Sequence, residues 1–136
     1  MAATFQLELV AADKVVWSGE AVMVITRTIE GEVGVLANHS PLLGVLAPGT
    51  VEIRPEEGAP MYAAVDGGFI SVAKNRISIL AERAELADDI DLSEARRALE
   101  EAEQDSDGER SKQAIAAAEA RSRLEAAKER ESHEQA

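Results

Sequence analysis

Phe5, Leu7, Leu9 and Ala11 alternate with Gln6, Glu8 and Val10, the two-residue period of a strand with one buried face. After the Ala12-Asp13-Lys14 turn, Val15 to Trp17 predicts a second strand. Ala21 to Thr26 is β-branched and nearly all apolar, as expected of a strand buried on both faces. Thr50 to Arg54 alternates again. Met61 to Val65 and Phe69 to Val72 flank Asp66-Gly67-Gly68, a tight-turn or bulge signal. Arg76 to Leu80 follows Lys74-Asn75. Short strands at this spacing, with turn residues between them, predict a β-sandwich or flattened barrel.

The period changes near residue 88. Leu92, Ala95, Leu99 and Ala102 recur at helical spacing, and Asp88, Asp89 and Asp91 crowd the start, where negative charge suits the helix dipole. Gln104-Asp105-Ser106-Asp107-Gly108 breaks the run. A second helix is predicted from about Glu109 to about Arg130, its stripe formed by Ala117, Ala120, Leu124 and Ala127 with Ile115 near it. A short break between helices predicts an antiparallel hairpin. The fold class is therefore α+β in two segregated parts, a β-sandwich over 1–88 and a helical hairpin over 89–136. The hairpin stripes are mostly Ala, which buries little area, so the hairpin is expected to be held loosely or by a partner.

Composition sharpens the division. All aromatics (Phe5, Trp17, Tyr62, Phe69) and all prolines precede residue 88, while Ala, Glu and Arg dominate beyond it. The net charge is −12, from 14 Lys and Arg against 26 Asp and Glu. That sign argues against nucleic acid and against direct adsorption to an anionic membrane. The chain has no Cys, which excludes disulfides and thiolate metal sites. No apolar run is long enough to span a bilayer and the N-terminus has no signal-peptide pattern, so membrane association is expected through another protein. Neither His39 nor His133 has a second metal ligand at suitable spacing, and no nucleophile or phosphate-loop motif is present, so neither catalysis nor a cofactor is expected.

Thr28 to Gly49 is the informative stretch. Gly31 and Gly34 bracket Glu32-Val33, Pro41 fixes a bend after His39-Ser40, and Val33, Val35, Leu36, Leu42 and Leu43 add apolar content. It reads as a turn-rich loop that folds back on the sandwich or meets another protein.

Gly31-Glu32-Val33-Gly34-Val35-Leu36, then His39-Ser40-Pro41-Leu42-Leu43, then Pro48-Gly49, resembles the signature of the epsilon subunit family of F-type ATP synthases. Trp17-Ser18-Gly19, Asp66-Gly67-Gly68-Phe69 and Ile79-Leu80-Ala81-Glu82 agree in order and spacing, and so does the succession of sandwich and Ala-rich hairpin. The resemblance implies a non-catalytic central-stalk subunit, peripheral on the cytoplasmic face of the cell membrane, with the gamma subunit and the c-ring as partners. It implies interface roles for Gly31, Glu32, Val33, His39, Pro41 and Leu42, with Gly31 and Glu32 facing the c-ring and His39 to Leu42 close to the same interface. Without the resemblance, a lone loop histidine such as His39 reads as a local hydrogen-bonding group. The resemblance also implies a regulatory tail, carrying Arg96, Arg97, Arg121 and Arg123, that either rests folded against the sandwich or extends along gamma to the alpha/beta catalytic head and inhibits hydrolysis. Some relatives bind ATP on this hairpin. Here Arg96 and Arg123 fit such a contact, whereas Ser93 stands at or beside the aspartate position and Glu119 where an arginine would be wanted, which predicts weak binding at most. The alternatives are a nucleotide-responsive regulator of the same fold and an unrelated sandwich scaffold.

Overall fold

The computed structural model describes residues 3–104 and 114–126. The strands are β1 (Phe5–Ala11), β2 (Lys14–Ala21), β3 (Met23–Thr28), β4 (Gly31–Leu36), β5 (Leu42–Leu46), β6 (Gly49–Arg54), β7 (Met61–Val65), β8 (Gly68–Ala73), β9 (Arg76–Leu80) and β10 (Ala84–Leu86). A 3-10 turn, Ala87–Asp89, leads to α1 (Leu92–Gln104). A second helix, α2, covers residues 114–126. The hydrogen-bonded order is β10-β7-β6-β3-β5-β8-β9-β1-β2, with β4 paired to β3. The β1–β9 pair is parallel and the others are antiparallel.

The sheet curls toward closure. Ala81 donates its backbone N–H to the Val10 carbonyl at 2.9 Å and Ala12 donates to Glu82 at 3.4 Å, so the segment entering β10 returns to the β1–β2 hairpin. Inside lie Phe5, Leu7, Leu9, Val24, Val35, Val51, Ile53, Ile70, Ile77 and Ile79, all buried. Most of these are β-branched residues at alternating positions, which suits a pleated, half-buried surface.

Three sequence readings change. Residues 28 to 49 contain β4 and β5, with Val35 and Leu46 in the core and Val33 and Leu42 packed against it. The glycines and Pro41 concealed the alternation. β3 begins at Met23 and buries Val24 and Thr26 while Met23 and Ile25 stay half-buried, so it is not enclosed on both faces. Asp66-Gly67-Gly68 does not close a hairpin: β7 pairs with β6 and β10, β8 with β5 and β9, and the segment carries the chain from one side of the curled sheet to the other. Lys74 and Asn75, by contrast, both have positive φ (52° and 61°) between paired Ala73 and Arg76, the geometry of a two-residue hairpin turn.

The hairpin packs on the sheet. Tyr62 and Ala64 of β7, with Ala87 and Ile90, form a second apolar cluster with Ala95 of α1 and Ala116, Ala120 and Leu124 of α2. Within the expected stripe Ala120 and Leu124 are buried and Ala117 is half-buried, but Ile115 is exposed and Ala116 takes the inward position. The expected contributions of Ala127 and of the chain beyond it lie outside the described residues, as do those of the Leu92 and Ala102 side chains and of the break after Gln104. Asp91 caps α1, its Oδ1 accepting from the Glu94 N–H at 3.0 Å, and Ser93 lies inside the first turn.

Glu85 of β10 stands at this junction. Partial burial raises its pKa above the ordinary value of 4.5, Asp89 and Glu94 raise it further, and Lys14 opposes them. The folded chain therefore holds this proton more tightly than the unfolded chain. Its unfavourable contribution is absent below pH 4.5 and develops as pH rises through the folded pKa. Glu85→Gln should flatten that slope and leave stability at neutral pH the same or raised by up to about 0.5 kcal/mol. Paired denaturant melts at acidic and neutral pH measure it; a variant that loses stability at neutral pH would contradict the assignment.

Candidate functional site

Alternation along β8 sends Ile70 and Val72 inward and Phe69 and Ser71 outward. The register then aligns outward residues from neighbouring strands. Val45 of β5 pairs with Phe69, Phe69 with Leu80 of β9, Leu80 with Val10 of β1, and Val10 with Val15 of β2. Val10 is half-buried, while Val45, Phe69, Leu80 and Val15 are 43%, 54%, 50% and 55% exposed. This is a continuous apolar row across five strands on the outside of the sheet. The next row along the strands, Leu43, Ser71, Ser78, Glu8 and Ser18, is mostly polar. A single exposed apolar residue needs no explanation, but an aligned row of them marks a surface that meets another molecule.

The apolar row ends beside the β3–β4 hairpin. Ile29, exposed in that turn, donates its N–H to the Val45 carbonyl at 3.0 Å. Gly31 has a φ of 131°, in the region that favours glycine. The Thr28 hydroxyl donates to the Gly31 carbonyl at 2.8 Å and accepts from the Glu30 N–H at 3.1 Å, which fixes the turn. Glu32 is exposed beside it. A groove of about 370 Å³ runs between this hairpin and β5, with Ile29, Glu32, Leu43 and Val45 among its lining.

Gly31 and Glu32 are not brought together with His39. Gly31 opens β4 and His39 lies past its far end, so the length of the strand separates them by about 17 Å. The His39 loop sits instead by the Lys74-Asn75 turn, where the Asn38 N–H donates to Asn75 Oδ1 at 2.8 Å. His39 Nδ1–H donates to the Ser40 carbonyl at 2.6 Å, so that ring nitrogen is engaged within the loop. Pro41 is exposed. Val33 and Leu42 are half-buried, packed against the core and at the same time part of the groove lining.

Of the tail arginines, Arg96 and Arg97 are exposed on α1. Arg121 Nη1 donates to the Ala87 carbonyl at 3.1 Å and its Nη2 pairs with Glu125 at 2.6 Å. Arg123 pairs with Glu119 at 3.0 Å, and Glu119 also reaches Arg27 of β3 at 3.5 Å. Arg123, read from sequence as a weak nucleotide contact, is thus already matched by a carboxylate.

The sequence reading misses the Val45–Phe69–Leu80 row because it places Phe69 and Leu80 in strands without assigning them a face. Placing Ile70 and Val72 inward points Phe69 outward, but aligning it with Val45 and Leu80 takes the register between strands. It also misses Asn75, which accepts from Asn38 and donates through Nδ2 to the Thr4 carbonyl at 2.9 Å, tying three segments together.

No helix among the described residues is long and apolar enough to cross a membrane. Residues 4–87 match the family model for the β-sandwich domain of the ATP synthase delta/epsilon chain. The chain is 58% identical over 107 residues to the ATP synthase epsilon chain of Streptomyces griseus, covering 79% of this chain and 86% of that one. It is 47% identical over 128 residues to the epsilon chain of Thermobifida fusca, covering 92% and 93%. Among solved structures it resembles a chain of the Euglena gracilis mitochondrial ATP synthase assembly containing OSCP, F1 and the c-ring, with a TM-score of 0.69, 32% identity, and 93% and 82% of the two chains covered.

Proposed function

The chain belongs to the ATP synthase delta/epsilon family, and from that premise we propose that its sandwich docks the gamma subunit through the apolar row and meets the c-ring through the β3–β4 hairpin. It is a subunit of an enzyme complex and, in this reading, takes part in no chemical step: it transmits rotation between c-ring and catalytic head. It would lie peripherally at the cytoplasmic face of the cell membrane, held there by its partners. Residues 1–88 form the docking part and 89–136 the regulatory tail.

The observation that carries the proposal is the row Val45–Phe69–Leu80–Val10–Val15, a band of apolar side chains exposed on a chain of net charge −12. A row of that kind is stable in water only at a cost that an apolar partner removes. Copurification tests it: from detergent-solubilised membranes the chain should come down with gamma and the c-ring, and recovery in the soluble fraction alone would refute the stalk assignment.

Glu32 is the residue proposed to face the c-ring, as an exposed carboxylate at a polar rim. Glu32→Lys should lower proton-driven ATP synthesis in membrane vesicles by about three- to fivefold, since it places the opposite charge at that rim and an exposed charge pair is worth up to about 1 kcal/mol. His39→Ala should change it by less, because His39 is hydrogen-bonded within its own loop and lies at the other end of β4. Unchanged synthesis in Glu32→Lys would remove this hairpin from the coupling interface.

A further inference from the structure

The contact between α2 and the sheet is chemically thin. Its apolar part is Tyr62, Ala64, Ala87 and Ile90 against Ala116, Ala120 and Leu124. Small, similar side chains fill space but define no unique position, because a helix face of alanines has shallow ridges and can slide at little cost. Thr50 Oγ1 on β6 and Arg121 Nε on α2 are buried without a hydrogen-bond partner among the described residues, which weakens the docked state further. Something else has to fix where α2 sits.

Among the described residues, at least two polar contacts span the gap. One is Arg121 to the Ala87 carbonyl, which joins α2 to the turn just before α1. The other joins α2 to the sheet itself. Glu119 Oε1 accepts from Arg27 Nη2 at 3.5 Å across 92 residues of sequence and from Arg123 Nη2 on its own helix at 3.0 Å. The Glu119 side chain is 24% exposed and that of Arg27 46%, so the pair lies at the margin of the contact, open to solvent ions. Gly49 lies beneath it: a Cβ there would stand 3.8 Å from Arg27 Nη1 and 3.9 Å from Glu119 Oε2, so the backbone floor under the pair carries no side chain.

We infer that Glu119 is an electrostatic clamp: bridging Arg27 and Arg123, it sets the register of α2 on the sheet and makes hairpin docking sensitive to salt, with the anion supplied by the chain itself rather than by a nucleotide. The inference rests on the reading of the hairpin as a reversibly docked tail, and it concerns docking rather than inhibition. The carboxylate occupies the position between two guanidinium groups that an external anion would otherwise seek. Undocking separates Glu119 from Arg27 but leaves the Glu119–Arg123 pair intact, since that pair belongs to one helix turn. Arg27 is thus the half of the clamp that reports closure.

The chain's lack of cysteine makes the test direct. Ala120→Cys puts a single thiol at a fully buried position of α2, and its labelling rate in the otherwise intact full-length chain reads the fraction undocked. In that background Arg27→Gln should raise the rate by about two- to fivefold, the range expected of a partly exposed ion pair. Glu119→Gln should raise it at least as much, and the double variant no further than Glu119→Gln alone. Glu125→Gln, which breaks a pair confined to α2, is the control for helix stability and should have the smaller effect. The difference between the parent and Arg27→Gln should vanish at about 1 M salt, where charges are screened within about 3 Å. ATP at about 1 mM should not slow labelling. Amide exchange over residues 116–124 in the cysteine-free chain, with the same variants, covers the case in which the introduced thiol disturbs the packing. An unchanged rate in Arg27→Gln, fully additive effects in the double variant, or protection by ATP would each overturn the clamp. Failure of the regulatory reading shows elsewhere, as equal ATP hydrolysis by complexes carrying the full chain and a chain ending at Asp88.

Discussion

Gly68→Ala should destabilise the fold by about 3–5 kcal/mol, with a fall in Tm of roughly 10–20 °C. Two costs combine at this position. Gly68 has a φ of 127°, which L side chains rarely adopt. A Cβ would also run into the Leu80 carbonyl and come within 2.9 Å of Ala81 Cα. Both obstacles are backbone, so no flexible side chain can yield, and β8 would have to part from β9 where Phe69 pairs with Leu80. Gly58 separates the two costs. It has a φ of 102° but open space around its missing Cβ, so Gly58→Ala should cost only about 1 kcal/mol of backbone strain. Thermal melts followed by circular dichroism compare them. Equal losses would mean that close backbone approach is not what requires glycine at position 68. The same geometry links stability to function, because Gly68 sets the crossing that delivers Phe69 to the outer row.

What could be read in advance depended on whether side-chain size marked a face. β1 was legible because Phe5, Leu7 and Leu9 differ sharply from Gln6 and Glu8, and the structure buries the first set and exposes the second. The Lys74-Asn75 turn was legible because its neighbours alternate cleanly on either side. In β4 and β5 the signal failed. Leu36, Leu43 and Val45 are apolar yet exposed, and Gly34 and Gly44 interrupt the strands, so neither hydrophobicity nor alternation reported the pleat. α2 failed in a milder way, by a rotation. With Ala at six of its positions, little distinguishes one face from the next: Ile115 reads as lying near the inward stripe but is exposed, and Ala116 faces in. The candidate site was legible in part. Glu32 and His39 could be named from their loops, but their separation depends on β4 being a strand, and the apolar row depends on a register between five strands that no single segment encodes.

That row carries the second large effect. A Phe69→Ser, Leu80→Ser double variant should bind the gamma subunit about 100- to 1,000-fold more weakly while keeping Tm within a few degrees of the parent. Each side chain is about half exposed in the free chain, so a partner can still remove substantial apolar area, and central anchors of this kind cost about 2 kcal/mol or more on truncation. Two adjacent anchors give roughly 3–4 kcal/mol, and each step of about 1.4 kcal/mol is tenfold in affinity. Stability should hold because the outward face contributes little to the core: Ile70, Val72, Ile77 and Ile79 remain beneath. Ser71→Ala with Ser78→Ala, one row along the same two strands, is the matched control and should leave affinity within about threefold, since it alters the neighbouring polar row without touching the apolar one. Titration of purified gamma against the three proteins gives the comparison. If the Phe69, Leu80 variant binds as the parent does, gamma docks elsewhere on the sandwich. If the serine control loses affinity as well, the interface extends along the strands beyond the apolar row. If only the apolar variant fails, its assembly into the full complex should fail in the same proportion.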